Sequence, residues 1–383
     1  MVFSYIYAKL SILPSLLSPT TTVLFSLIPF RYRWRVLILQ PINFLAALIS
    51  SPTWLFNNRY SVIYIPTRSG RKRCLVYSPH TKPTPSPKPS SNSTPISEPH
   101  LRPIHISIHG GAFIGGLLEQ DARWNAHLSD RTGAIVVSPE YRIAPRHIFP
   151  SAHDDIDDIV SWIIANAESR FKANPHLLTI GGSSAGGTLA LSAAQKIHQD
   201  LYSSPATKGK KSADLSNVKA FIGFYPVVDF RLPPWKKCVP ANFPNDPMKF
   251  MMPLYDAYAG PRREDTMEDV RLNPILACRK DLPERVLVVT AGIDILRYEL
   301  EGFVRRLRGE VAEEGVDRGE GRGLREVEGL LVEKGFHGWM ELPKAILEPE
   351  RLLAFEAAVE TILATHRQYG WNWEFYDRRE KIL

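Results

Sequence analysis

From Pro103 onward the chain alternates between short apolar runs and longer stretches whose apolar residues recur every three or four positions. The runs HISIHGG, AIVVSPEY, LLTIGG, VKAFIGFYPVVD, RVLVVTA and GLLVEKG predict strands. Between them, helical spacing predicts helices over about Ser151–Asn166, from the glycines after Ser184 to about His198, after Asp294, and finally to about Arg367. Strands alternating with helices predict an α/β architecture, a mostly parallel central sheet covered by helices on both faces. Upstream, NRYSVIYIPTRSGRKRCLVYSP reads as a hairpin that adds two further strands.

The pattern also divides the chain. Residues 1–56 are apolar and unlike the rest. Leu10–Phe30 is 21 residues without a charge, followed by Arg31, Arg33 and Arg35. The length suits a membrane span with the arginines on the cytoplasmic side. Against a span stand Pro14, Pro19, Pro29 and the Thr20-Thr21-Thr22 run, so a lid or membrane-contacting cap is the preferred expectation. No basic start or small-residue cleavage site marks a secretory leader. Residues 57–370 are expected to form the main α/β domain and 371–383 a tail. Within that domain, 77–100 is rich in Pro and Ser and should be a flexible loop; its sequon, Asn92-Ser93-Thr94, is read as chance. The runs SSPATKGKKSADLSN and 308–329 read as charged surface insertions. Residues 231–275, rich in Pro, Met and aromatics, are expected to complete a helical cap with the N-terminal region, either lining an acyl pocket or packing on the core.

Composition narrows the function classes. A chain of 383 residues with 44% hydrophobic content can bury a large core. The net charge of +7 is spread in small clusters such as RSGRKR, without the concentrated face that nucleic acid demands. Cys74, Cys238 and Cys278 are odd in number and widely spaced, which fits neither a disulfide framework nor a metal site. No cofactor or metal is expected. The location expected is intracellular, either cytoplasmic or attached to the cytoplasmic face of a membrane through 1–56.

Candidate chemistry centres on TIGGSSAGGTLAL. The Gly-x-Ser-x-Gly pattern fits one register, Gly182-Ser183-Ser184-Ala185-Gly186, which makes Ser184 the candidate nucleophile. A strand before it and a helix after it are the setting of a nucleophile elbow, where the glycines allow a tight turn. A serine hydroxyl needs a base, a group that orients the base, and donors for an oxyanion. HISIHGGA runs from a strand into small residues whose backbone N–H groups can face a developing negative charge, and the elbow adds the N–H of Ala185. Asp294 follows a buried strand, where it could orient a base or cap the next helix. His337, in GFHGW, also follows a strand; the only other downstream histidine, His366, is expected on a helix surface.

Five stretches in order, HGGA, PEYRIAPRHIFPSAHDD, GGSSAGG, TAGIDILRYE and GFHGW, resemble the hormone-sensitive-lipase-like (fold-3) branch of the α/β-hydrolases over about residues 100–365. The resemblance implies an α/β-hydrolase fold and a carboxylic-ester hydrolase acting on a small-molecule ester. It also implies a triad of Ser184, Asp294 and His337, with oxyanion donors at Gly110, Gly111 and Ala185. Departures from the family pattern are Ala112 for a glycine, Ser183 for an acidic residue before the nucleophile, and Tyr298 for an acidic residue on the later helix. The same triad would serve amide, thioester or lactone hydrolysis, or acyl transfer. A receptor of this fold without catalysis would lack the triad histidine.

Overall fold

The computed structural model describes residues 9–26, 30–55, 59–80, 101–203, 218–243, 257–259, 263–318 and 325–373. Its centre is an eight-stranded sheet in the order β1-β2-β4-β3-β5-β6-β7-β8. The strands are β1 Tyr60–Thr67, β2 Gly70–Tyr77, β3 Arg102–Ile108, β4 Ile135–Pro139, β5 Ala173–Ser183, β6 Val218–Phe224, β7 Arg285–Ile293 and β8 Glu326–Phe336. β1 and β2 form the expected hairpin, and β2 joins β4 antiparallel; from β4 to β8 every pairing is parallel. β4 and β6 are buried at every position, which is why they read as unbroken apolar runs rather than alternating ones.

Among the described residues, five helices cover the sheet: α3 Ala122–Thr132, α4 Ser151–Asn166, α5 Ala185–Ser203, α6 Arg297–Arg318 and α7 Glu348–Gln368. They are preceded by α1 Ile12–Leu24 and α2 Phe30–Leu55. Two apolar clusters form the core. One contains Ile106, Ile156, Leu189, Phe221 and Phe303; the other contains Trp124, Phe224, Leu287, Phe355 and Ile362.

The apolar stretch Leu10–Phe30 is not one helix. α1 ends at Leu24, and no described helix is long and apolar enough to cross a membrane. α1 is fastened to the domain instead. Ser15 Oγ donates to Glu140 Oε1 at 2.8 Å, and Arg73 Nε donates to Ser11 Oγ at 3.0 Å.

Two expectations need correction. Residues 308–329 are not one loop insertion, because α6 continues to Arg318 and β8 starts at Glu326. Two charged residues of this run support the helix instead: Glu310 pairs with Arg306 one turn before it, and Arg308 Nε donates to Val327 O at 2.9 Å. His366 is not a surface residue but fully buried. It continues the stripe Phe355, Val359, Ile362 along the inner face of α7, and burial with His105 nearby lowers its pKa to about 3.

The 81–100, 204–217, 319–324 and 374–383 portions of the expected loops, insertions and tail lie outside the described residues, as do 244–256 and 260–262 within 231–275. The start of the tail is fixed to the domain, since Trp373 Nε1 donates to Asp130 O at 2.9 Å. In the 231–275 segment, Tyr258 is buried with its ring stacked on Phe113, centroids 3.8 Å apart, so this part packs on the core.

Candidate active site

Parallel strands deliver their C-terminal ends to one edge of a sheet, and the connecting loops there collect functional groups. Ser184 is the first residue after β5, Asp294 the first after β7, His337 the first after β8, and Gly110 the second after β3. Ser184 and His337, 153 positions apart, therefore meet because their strands stop at the same level.

Ser184 has φ +51°, a left-handed conformation that costs a non-glycine residue about 1–3 kcal/mol and lifts its side chain out of the turn. The surroundings hold it there. Ser184 N donates to Phe224 O at 2.9 Å, and α5 starts at the next residue. The flanking glycines are required by proximity: a Cβ on Gly186 would lie 2.0 Å from Ile108 O, and one on Gly182 2.4 Å from the same oxygen.

Ser184 Oγ lies 2.8 Å from His337 Nε2, and His337 Nδ1 lies 2.8 Å from Asp294 Oδ2. The carboxylate can only accept, so Nδ1 carries the proton and Nε2 is free to accept from the serine hydroxyl. Asp294 makes a contact with each of its two carboxylate oxygens. Oδ2 faces the histidine, while Oδ1 accepts from Leu296 N at 3.0 Å in the turn leading to α6. Burial opposes charge on His337, but the Asp294 carboxylate and its hydrogen bond outweigh that and hold the imidazole pKa above its ordinary value.

The loop after β3 packs on the elbow. A Cβ on Gly110 would come within 3.1 Å of Ser183 Oγ and 3.4 Å of Ser184 Cβ. Gly111, Ala112, Phe113 and Gly116 all have positive φ, and Gly111 O accepts from both Ile114 N and Gly115 N at 3.0 Å. This winding consumes the carbonyl of Gly111. Among the described residues no backbone acceptor takes the amides of Gly110, Gly111 or Ala185. Ala185 also opens α5, whose aligned peptide dipoles favour negative charge at that end. His109 braces the loop: its Nδ1 donates to Gly110 O at 2.7 Å, and its ring stacks on Tyr141, whose hydroxyl donates to His109 O at 3.0 Å. Burial lowers its pKa to about 4, so it is neutral and serves as a support.

Sequence reasoning missed three acids around His337. Burial pushes Glu341 up to about 7 against the opposing pull of His337, burial and then Glu341 push Asp121 well above the usual range, and burial also pushes Glu299 up to about 7. Glu341 and Glu299 both favour the charged imidazole. It also missed Arg351, fully buried on α7, which donates to Trp339 O at 3.1 Å and Met340 O at 3.0 Å and so fixes the loop after His337. Acids and arginines in mixed polar runs carry no sequence signal of burial.

A cavity of about 520 Å³ lies between this edge and the N-terminal helices. Leu16, Leu17, Leu37 and Phe44 line one side; Gly111, Gly116 and Glu341 line the other. Residues 231–275 do not contribute to its described lining.

Residues 105–323 match a family model described as the α/β hydrolase fold. Versiconal hemiacetal acetate esterase of Dothistroma septosporum is 37% identical over 108 residues, covering 28% of this chain and 32% of that protein. Arylacetamide deacetylase of Oryctolagus cuniculus is 30% identical over 157 residues, covering 39% of this chain and 36% of that protein. The chain thus spans about a third of the length of these curated relatives. Among solved structures, the hyperthermophilic esterase from Pyrobaculum calidifontis superposes with a TM-score of 0.62 at 22% identity, over 92% of this chain and 98% of that one. At that identity the likeness shows the fold alone.

Proposed function

The chain belongs to the α/β-hydrolase fold family, and from that premise we propose that it is a serine hydrolase cleaving carboxylic esters of hydrophobic small molecules through an acyl-enzyme intermediate. The observation that carries this reading is the hydrogen-bonded chain Ser184 Oγ, His337, Asp294, with 2.8 Å at both links.

In the proposed reaction His337 Nε2 takes the Ser184 proton as Oγ attacks the acyl carbon. Asp294 keeps the ring in the required tautomer and stabilises the imidazolium. The carbonyl electrons move to an oxyanion facing the amides of Gly110, Gly111 and Ala185. As the tetrahedral species collapses, His337 returns the proton to the departing alkoxide. Water then attacks the acyl-serine by the same route, releasing the acid and restoring Ser184. The apolar lining from α1 and α2 supports a hydrophobic ester. Cleavage of an amide is the second reading, favoured by the likeness to an arylacetamide deacetylase; the same three side chains would carry it.

The test is hydrolysis of p-nitrophenyl esters from acetate to palmitate, with labelling by a fluorophosphonate. Ser184→Ala should lose labelling and about 10³-fold or more in kcat. A folded wild type that neither labels nor turns over any of the esters would overturn the proposal.

A further inference from the structure

A second cavity, of about 390 Å³, lies on the other side of Gly116 beneath α1. Its character is opposite to that of the apolar cavity. Arg71, Lys72, Arg142 and Arg146 line it with His147, and α1 contributes Ser15, Ser18, Thr21 and Thr22. One carboxylate, Glu140, shares the lining and accepts from Ser15 Oγ. Behind the lining, buried Asp155 is shared by Arg142 at 2.9 Å and Lys72 at 3.3 Å. Arg71 and Arg146 are exposed and enter no ion pair among the described residues. Even with both carboxylates ionised, positive charge is in excess here. The cations act on each other's neighbours: burial and then Arg142, Arg146 and Lys72 disfavour the charged form of His147.

Like charges gathered around a concave, hydroxyl-lined space repel one another unless an anion sits between them. Planar guanidinium groups match the oxygens of carboxylate and phosphate. We propose that this cavity binds the carboxylate or phosphate of a small molecule, at a site distinct from the reacting serine. The site adjoins the ester-cleaving machinery, since His109 and Tyr141, which brace the loop after β3, form part of its wall. The anion either belongs to the substrate, reaching past Gly116, or to a separate molecule.

The proposal does not rest on the hydrolase reading, so binding is measured directly. Inorganic phosphate and glutarate are titrated by calorimetry into the full-length protein at about 0.15 M salt, where charges more than about 8 Å apart are screened. Wild type and Ser184→Ala should bind alike, and the double variant Arg71→Gln/Arg146→Gln roughly tenfold more weakly. A control double variant, Arg170→Gln/Arg305→Gln, loses the same charge from other exposed positions and should bind as wild type does. Thermal unfolding checks that each variant is folded. Absence of binding of either probe up to about 10 mM, or equal weakening in the two double variants, overturns the proposal. Kinetics then separate the sources. A loss of kcat/KM confined to the p-nitrophenyl monoester of glutaric acid, with the butyrate ester unaffected, assigns the anion to the substrate. A response of butyrate hydrolysis to added phosphate that is lost in Arg71→Gln/Arg146→Gln assigns it to a separate molecule.

Discussion

In the proposed reaction His337 must be neutral to accept the serine proton, so the pH dependence of kcat/KM reports its protonation. Its pKa is held above the ordinary value, against burial, by Asp294 first and by Glu341 and Glu299 further off. Activity is therefore expected at high pH and lost as pH falls through that raised value, with the acid limb above the ordinary histidine midpoint of about 6.5. Because Glu341 itself titrates near 7 and is tied to His337, the limb belongs to the pair rather than to one residue. Glu341→Gln removes a negative neighbour and should move the limb to lower pH while hydrolysis persists. A limb that stays in place or moves upward would contradict the role given to Glu341. Asp294→Asn should move it the same way but also lower kcat by about 10⁴, since the ring loses its required tautomer.

At the scale of elements, glycines with the same side chain have opposite sensitivities. Gly186 lies in the first turn of α5, where β3 passes so close that a Cβ would collide with Ile108 O and, at 2.4 Å, with His109 O. Both obstacles are backbone and cannot rotate away. Gly186→Ala should cost about 3 kcal/mol or more and displace the elbow, abolishing hydrolysis. Gly302 lies within α6 with nothing within 4 Å of where its Cβ would stand. Gly302→Ala should stabilise by about 0.5–1 kcal/mol through helix propensity and raise Tm by about 1 °C without changing activity. Thermal unfolding of the two variants side by side checks both expectations. A Gly186→Ala protein as stable as wild type would show that β3 and α5 are less closely apposed than described.

At the scale of the molecule, the N-terminal helices carry an exposed apolar surface. Phe25 is 74% and Phe30 72% exposed, with Leu13, Leu45 and Leu48 also above half. No acidic residue occurs in 1–58, whereas Lys9, Arg31, Arg33 and Arg35 do. A lipid surface of negative charge complements both features, so cosedimentation with vesicles containing phosphatidylserine is expected, weaker at high salt. Phe25→Ser/Phe30→Ser should reduce it while hydrolysis of short-chain esters is retained; equal sedimentation of wild type and variant would exclude this face.

Much of this was legible beforehand because it is local. Apolar runs of strand length, helical spacing and the glycines around Ser184 are properties of neighbouring residues, and they announced the parallel sheet, the elbow and the positions of Asp294 and His337. Resemblance to a family added the expected pairing of roles. What the sequence could not express was distance between remote segments. The 2.8 Å links, the collision awaiting a side chain at Gly186, and the buried acids beside His337 arise only when strands far apart in the chain end at one edge. The same holds for His366, read as exposed although its face of α7 meets the sheet, and for four cations from two separate segments that surround one cavity under α1. Periodicity is set by backbone geometry and is written in the chain; burial and charge environment depend on which surfaces meet, and that was decided by the tertiary structure.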